Sequence, residues 1–238
     1  GVTDFWDEAN AVVVQLIAGA LESRPEIDVL NGYNAAVVGN EIIQFRMAEL
    51  IGDRTYRLSG LLRGRLGTED QVGSHAAGER FVLLEAATLV LVNAPITDWY
   101  AGRMYRIGPA TESVASELYQ TVTFTNQARA YQPWSVCHIA GSRDANGRLT
   151  LTWCRRDRSG GEWLDGSDIA MSEQVEKYEL DIMAGETVKR TLTAYTQTIQ
   201  YMENMQLEDF GFLQSVLTVR IYQLSALRGR GIMREATV

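Results

Sequence analysis

Apolar and polar residues alternate with a period of two through much of the second half of the chain. In the run 148–153 (Arg-Leu-Thr-Leu-Thr-Trp) this places Leu149, Leu151 and Trp153 on one face of a strand. The preceding Asp144-Ala145-Asn146-Gly147 is a hairpin turn signal, because Asn-Gly accepts positive φ. The alternation returns at 177–182 with Tyr178, Leu180 and Ile182 inward, and Gly185-Glu186 turns the chain into a further strand at 187–195. A strand at 198–201 is followed by a break around 207–211. Alternation resumes at 217–224, and the turn Arg228-Gly229-Arg230-Gly231 leads into a final strand at 232–238. About seven short strands separated by turns is the pattern of a β-sandwich.

The first half reads as strand too, less cleanly. The β-branched run 11–17, the segments 34–38 and 41–50 around Gly39-Asn40, and the runs 55–58 and 80–84 are all expected strands. Residues 42–51 contain good helix formers, yet Ile43, Phe45 and Met47 share one face of a strand, and strand is preferred. A short helix is expected at 112–119. The segment 128–134, with Pro133, marks a boundary between domains 1–130 and 131–238.

Composition narrows the functional classes. The net charge is −8, with 16 acidic against 10 basic residues through Ala130 and 14 against 12 beyond, which disfavours nonspecific nucleic-acid binding. No stretch approaches the roughly 18 to 20 apolar residues of a membrane helix. The opening residues are acidic, unlike a secretory signal, and the chain is expected to be a fragment or a processed form. Cys137 and Cys154 lack the spacing of a zinc site and are expected as reduced, buried thiols; the alternative, from their symmetric placement about a turn, is that they face one another across a hairpin, where a disulfide demands particular geometry. Neither His75 nor His138 has a second histidine or cysteine at metal-ligand spacing, and His75 reads as a turn residue. No nucleophile elbow is present, and Gly64-Arg65-Leu66-Gly67 lacks the lysine of a phosphate cradle. Glu176 and Glu179 read as a solvated face rather than a catalytic pair. The expectation is a non-enzymatic protein with no catalytic residues, no cofactor and no metal.

Of the 22 basic residues 20 are arginine, a bias that suits planar, multidentate contacts. Arg63, Arg65, Arg155, Arg156, Arg158, Arg228 and Arg230 fall in tight turns and, with Trp163, are the candidate interface residues. Two readings are open for these arginines: contacts with another protein, or local pairing with acidic neighbours.

The run 147–158 (Gly-Arg-Leu-Thr-Leu-Thr-Trp-Cys-Arg-Arg-Asp-Arg), with 176–180, 219–225 and 229–231, resembles the end of the baseplate hub, or megatron, proteins of gene transfer agents and related tailed phages. In the first half, 30–36, 41–45, 56–69 and 75–84 resemble the same family. The resemblance implies a mainly β chain, with a β-rich hub-like domain followed by a fibronectin type III-like sandwich. It also implies a virion protein of the tail tip, assembled in the host cytoplasm as a trimer with other baseplate proteins, with DNA passing through the hub. The glycosidase-like barrel of larger members has no counterpart in the sequence. Two positions depart from the pattern: no proline follows Val136, and Leu217 stands where fibronectin modules commonly carry tyrosine. Rival readings are a module that binds a host receptor or glycan, and a cell-wall hydrolase.

Overall fold

A computed structural model describes residues 3, 5–85, 87–90, 92, 94–159 and 171–238. It divides into two compact units, one comprising 1–89 with 132–238 and the other 90–131. Trp163 lies outside the described residues.

The larger unit begins with a five-stranded antiparallel sheet. Its elements are β1 (Val12–Gln15), α1 (Glu26–Leu30), β2 (Ala35–Val38), β3 (Glu41–Gly52), β4 (Thr55–Leu62) and β5 (Phe81–Leu83), with strand order β1-β4-β3-β2-β5. Val14, Ala36, Ile43, Phe45, Tyr56, Leu58 and Leu61 form a single buried cluster on one side of the sheet, while Val13 and Val82 are exposed on their strands. Full burial of one such side chain contributes about 1.5–3 kcal/mol relative to leaving it exposed. Residues 42–51 are strand throughout, as expected. Met47, expected to share a face with Ile43 and Phe45, is half-exposed; its neighbour Ala48, the register partner of the buried Leu58, packs on the cluster instead. The helix α1 was not expected; it is a single short turn following Pro25.

The smaller unit is built on one hairpin, β6 (Gly102–Ile107) with β7 (Gln120–Thr125). Residues 112–119, expected as helix, form a string of turns instead. Ser113 and Ser116 oxygens accept from nearby backbone N–H groups, a local alternative that competes with helical bonding.

The remainder of the larger unit is a sandwich with the strand pairing of a fibronectin type III domain. One sheet has the order β12-β9-β8, from β8 (Cys137–Arg143), β9 (Leu149–Cys154) and β12 (Thr198–Tyr201). The other is made of β10 (Tyr178–Ala184), β11 (Thr187–Ala194), β13 (Thr218–Ser225), β14 (Gly229–Arg230) and β15 (Arg234–Thr237). Its order is β11-β10-β13, with both β14 and β15 on the outer side of β13. In sequence order the seven positions A, B, C, C′, E, F and G thus split into an A-B-E sheet and a C′-C-F-G sheet. Leu149, Leu151, Trp153, Tyr178, Leu180, Ile182, Val219 and Ile221 fill the space between them, and the rings of Trp153 and Tyr178 meet edge to face at 5.1 Å. Leu217 exchanges two backbone hydrogen bonds with Val238, at 2.8 and 2.9 Å, extending the β13–β15 ladder to the last residue.

The break expected at 207–211 is the end of a helix, α2 (Glu203–Phe210), which connects the two sheets. Its last turn is closed by Gly211, whose N–H donates to Leu207 at 2.8 Å. Asp209 on this helix accepts from the Tyr201 hydroxyl at 2.6 Å and from Arg190 at 2.7 and 2.8 Å, fastening it to both sheets.

Candidate functional site

The densest charged cluster forms where β3 begins. Glu41 follows the Gly39-Asn40 turn and is completely buried, and Arg63 leaves the end of the neighbouring β4. The guanidinium embraces the carboxylate in two parallel bonds, Nε to Oε1 at 2.8 Å and Nη2 to Oε2 at 2.7 Å. Arg63 Nη1 reaches Asp7 Oδ2 at 3.5 Å, and Nη2 also donates to the carbonyl of Val72 at 3.2 Å. Glu41 further accepts the backbone N–H of Gly64 at 2.7 Å. Asp7 is seated by reciprocal backbone bonds with Leu61 and accepts from Asn10. Four chain segments remote in sequence therefore converge on one buried ion pair.

His75 closes the cluster from the loop after β4. Its Nε2 lies 2.5 Å from Glu41 Oε2 and its Nδ1 2.7 Å from Glu79 Oε2, while Glu79 Oε1 accepts the N–H of Ala76 at 2.9 Å. Burial works against the imidazolium, but hydrogen bonds to the two carboxylates outweigh it and raise the His75 pKa. Burial likewise opposes ionisation of Glu41, and the bonds from Arg63, Gly64 and His75 more than offset it, so the carboxyl sits below its ordinary range. Asp7 is lowered in the same way, burial being outweighed by Asn10 and Arg63.

The cluster borders an open groove of about 780 Å³, walled by β1, Val38 and the 75–79 loop. In the protonated state, each ring nitrogen of His75 donates to a carboxylate and neither has a lone pair to offer as a base or metal ligand. Among the described residues no group of three or more His, Cys, Asp or Glu side chains is arranged to hold a metal ion. Chemically, the arrangement is an ionic clamp across one end of the β3–β4 pair. His75 is more than the turn residue its sequence context suggested; Glu41 and Glu79, its partners, carry no local sequence signal.

A second constellation joins the first sheet to the sandwich. Gly67, at φ +80°, lies against the Trp134 indole so closely that an added Cβ would sit 2.6 Å from Nε1. Arg156 donates to the Ser135 carbonyl at 2.8 Å and hydroxyl at 3.1 Å, pairs with Glu69, and stands 5.7 Å from the Trp134 ring centroid. Pro133 accepts the N–H of Ile232 at 2.9 Å. The turn 63–69 thus serves as a socket for the entry to the sandwich.

The arginines singled out from the sequence take varied positions. Arg63 is buried within its ion pair, and Arg65 is half-buried with Nε on Gln44 Oε1 at 2.8 Å. Arg155 is near Asp157 at 3.8 Å, Arg158 pairs with Glu173 at 3.2 Å, and Arg156 serves the junction. Arg230 grips Asp181 at 2.6 and 2.9 Å and Glu179 at 2.6 Å, stacking over Tyr222. Arg228 is half-buried beside it in sequence. Arg63, Arg155, Arg156, Arg158 and Arg230 each have an acidic partner within the chain. The cysteines also differ from expectation: they face one another as register partners, but Cys154 is exposed and Cys137 only half-buried.

No curated protein matches the chain. Domains d3–d4 of the rat CD45 extracellular region are similar in structure at 12% identity and a TM-score of 0.31, covering 70% of this chain and 92% of that one. The FN5 domain of Drosophila Lar is similar at 7% identity and a TM-score of 0.27, with 44% and 94% covered. The strand order described above, rather than these distant likenesses, identifies the sandwich. Residues 1–82, which hold the first sheet up to the middle of β5 and the whole ionic clamp, match the family model described as Rcc01698-like, C-terminal.

Proposed function

We propose that the chain is a structural component of a phage-type tail tip, in which the first sheet belongs to the hub and the sandwich braces neighbours or meets the host surface. The observation that carries this reading is the match of residues 1–82 to the Rcc01698-like family, a name associated with gene transfer agents. The hub-like runs 30–36, 41–45 and 56–69 fall within that segment. The sandwich that follows is compatible with a structural or binding module. A non-catalytic role fits the chemistry of the clamp, whose charges are spent on one another. A homotrimer with DNA passing through the hub is part of the same proposal.

Immunogold labelling of purified particles carrying an epitope-tagged copy of the chain tests it. Label confined to the distal end of the tail is expected. Intact tails without label, or label on the capsid, would overturn the assignment. A glycan array probed with the isolated chain and a peptidoglycan-release assay address the two rivals: specific glycan binding or carboxylate-dependent cleavage, with no incorporation into particles, would replace the tail-tip reading.

A further inference from the structure

We propose that Cys137 and Cys154 constitute a redox site, a cross-strand dithiol that closes to a disulfide and fastens the first two strands of the sandwich to each other. The two are register partners in the antiparallel β8–β9 pair. Facing residues in such a pair have Cα atoms about 4.5–5.5 Å apart and project to the same side, inside the roughly 4.4–6.8 Å range that a disulfide spans. The Sγ of Cys137 already lies 3.8 Å from the carbonyl oxygen of Cys154.

The environment suits reaction rather than packing. Along β9 the buried residues Leu149, Leu151 and Trp153 alternate with outward ones, so Cys154 is on the outer face of the sheet and exposed. The pair also sits at the open end of its hairpin, since β8 begins at Cys137 and β9 ends at Cys154. A bulge follows immediately, with His138 at φ +52° and the register shifting between Cys137 and Ala140. A pair at a strand end beside a bulge has backbone freedom to reach bonding geometry that a pair within a continuous ladder lacks. These are the only two cysteines of the chain, so within one molecule each has a single partner.

The reaction takes a small disulfide oxidant such as oxidised glutathione. One cysteine thiolate attacks a glutathione sulfur, forming a mixed disulfide and expelling one glutathione thiolate. The second cysteine thiolate then attacks the protein sulfur of that intermediate and expels the other. One S–S bond is consumed and one formed, and the two protein thiols are oxidised as the reagent is reduced.

The test treats the full chain with oxidised glutathione, traps residual thiols by alkylation and reads the intact mass and the tryptic map, with a chain reduced by a phosphine as reference. The expected product is a monomer lighter by two hydrogens, without alkyl adduct, containing a peptide that links Cys137 to Cys154; accessible thiols fall from two to none. Cys154→Ser, a change on an exposed position, is expected to stop at a stable mixed disulfide on Cys137. Persistent glutathione adducts on the unaltered chain, disulfide-linked dimers, or two thiols that remain alkylatable would each overturn the proposal.

Discussion

Replacing Arg63 by methionine removes the cation from a completely buried carboxylate while keeping comparable apolar bulk. Glu41 would lose two charge-assisted hydrogen bonds, each contributing about 1.5–3 kcal/mol, and would retain the Gly64 N–H and His75 as partners. Breaking a buried ion pair from one side costs about 3–5 kcal/mol, because the survivor stays desolvated without its counter-charge. A loss of about 4 kcal/mol is therefore expected at pH 7. With a urea m value on the order of 2 kcal/mol/M, the midpoint for this domain falls by about 2 M. Tryptophan fluorescence during urea titration reads it, Trp6 standing 4.5 Å from Arg46 in the same sheet. The decisive control is Glu41→Gln on top of Arg63→Met. A glutamine can accept the Gly64 N–H and donate to a neutral His75, so the double variant is expected to recover about half of the loss. The single variant should also approach the native protein as pH falls, since a buried Glu41 that has lost Arg63 protonates more readily. A single-variant loss under about 1 kcal/mol, or a double variant no more stable than the single one, would refute the claim that Arg63 is there chiefly to neutralise Glu41.

Other outcomes follow from the same geometry. The raised pKa of His75 gives stability that is complete below its ordinary value of 6.5 and lost as pH rises through the folded value. The lowered carboxyls of Glu41 and Asp7 contribute above their ordinary values and lose that contribution as pH falls through the folded ones. Thermal melts should accordingly be highest between about pH 4.5 and 6.5, and His75→Gln should flatten the alkaline limb; an unchanged alkaline slope would count against the clamp. Gly67→Ala should loosen the junction, because the new Cβ meets both a positive φ and the Trp134 ring. Faster proteolysis between the first sheet and the sandwich is the readout, with Gly73→Ala, where a Cβ meets nothing within 4 Å, as the control. Leu180→Ala, in the centre of the sandwich core, should cost about 2–5 kcal/mol in a denaturation curve.

What could be read before the structure, and what could not, divides by the range of the interaction. Leu149, Leu151 and Trp153 announce their strand because period-two burial is written into adjacent residues, and Asn146-Gly147 adds the turn. Residues 203–210 were missed as helix because their moderate amphipathicity gives a weak period; what holds them is Asp209 meeting Tyr201 and Arg190 from elsewhere in the fold. Arg63 and Arg65 were legible as special but not as inward-facing. Their partners, 22 and 21 positions away, are paired through the β3–β4 ladder rather than by proximity in sequence. His75 is the sharper case. Its immediate context is a polar turn, and only the return of the chain past Glu41 turns it into part of an ion network.

The reciprocal bonds between Leu217 and Val238 bear on how the molecule carries load. The last strand is zipped along β13 from Arg234 to its final residue, with Arg220 and Glu235 joined across it at 2.7 Å. Tension applied to the end of the chain along the strand direction would shear these bonds together instead of peeling them singly. Such a strand yields at a rate set by the unfolding barrier rather than by equilibrium stability. The sandwich would then behave as a stiff coupling, passing tension through Pro133 and the Trp134 socket to the first sheet.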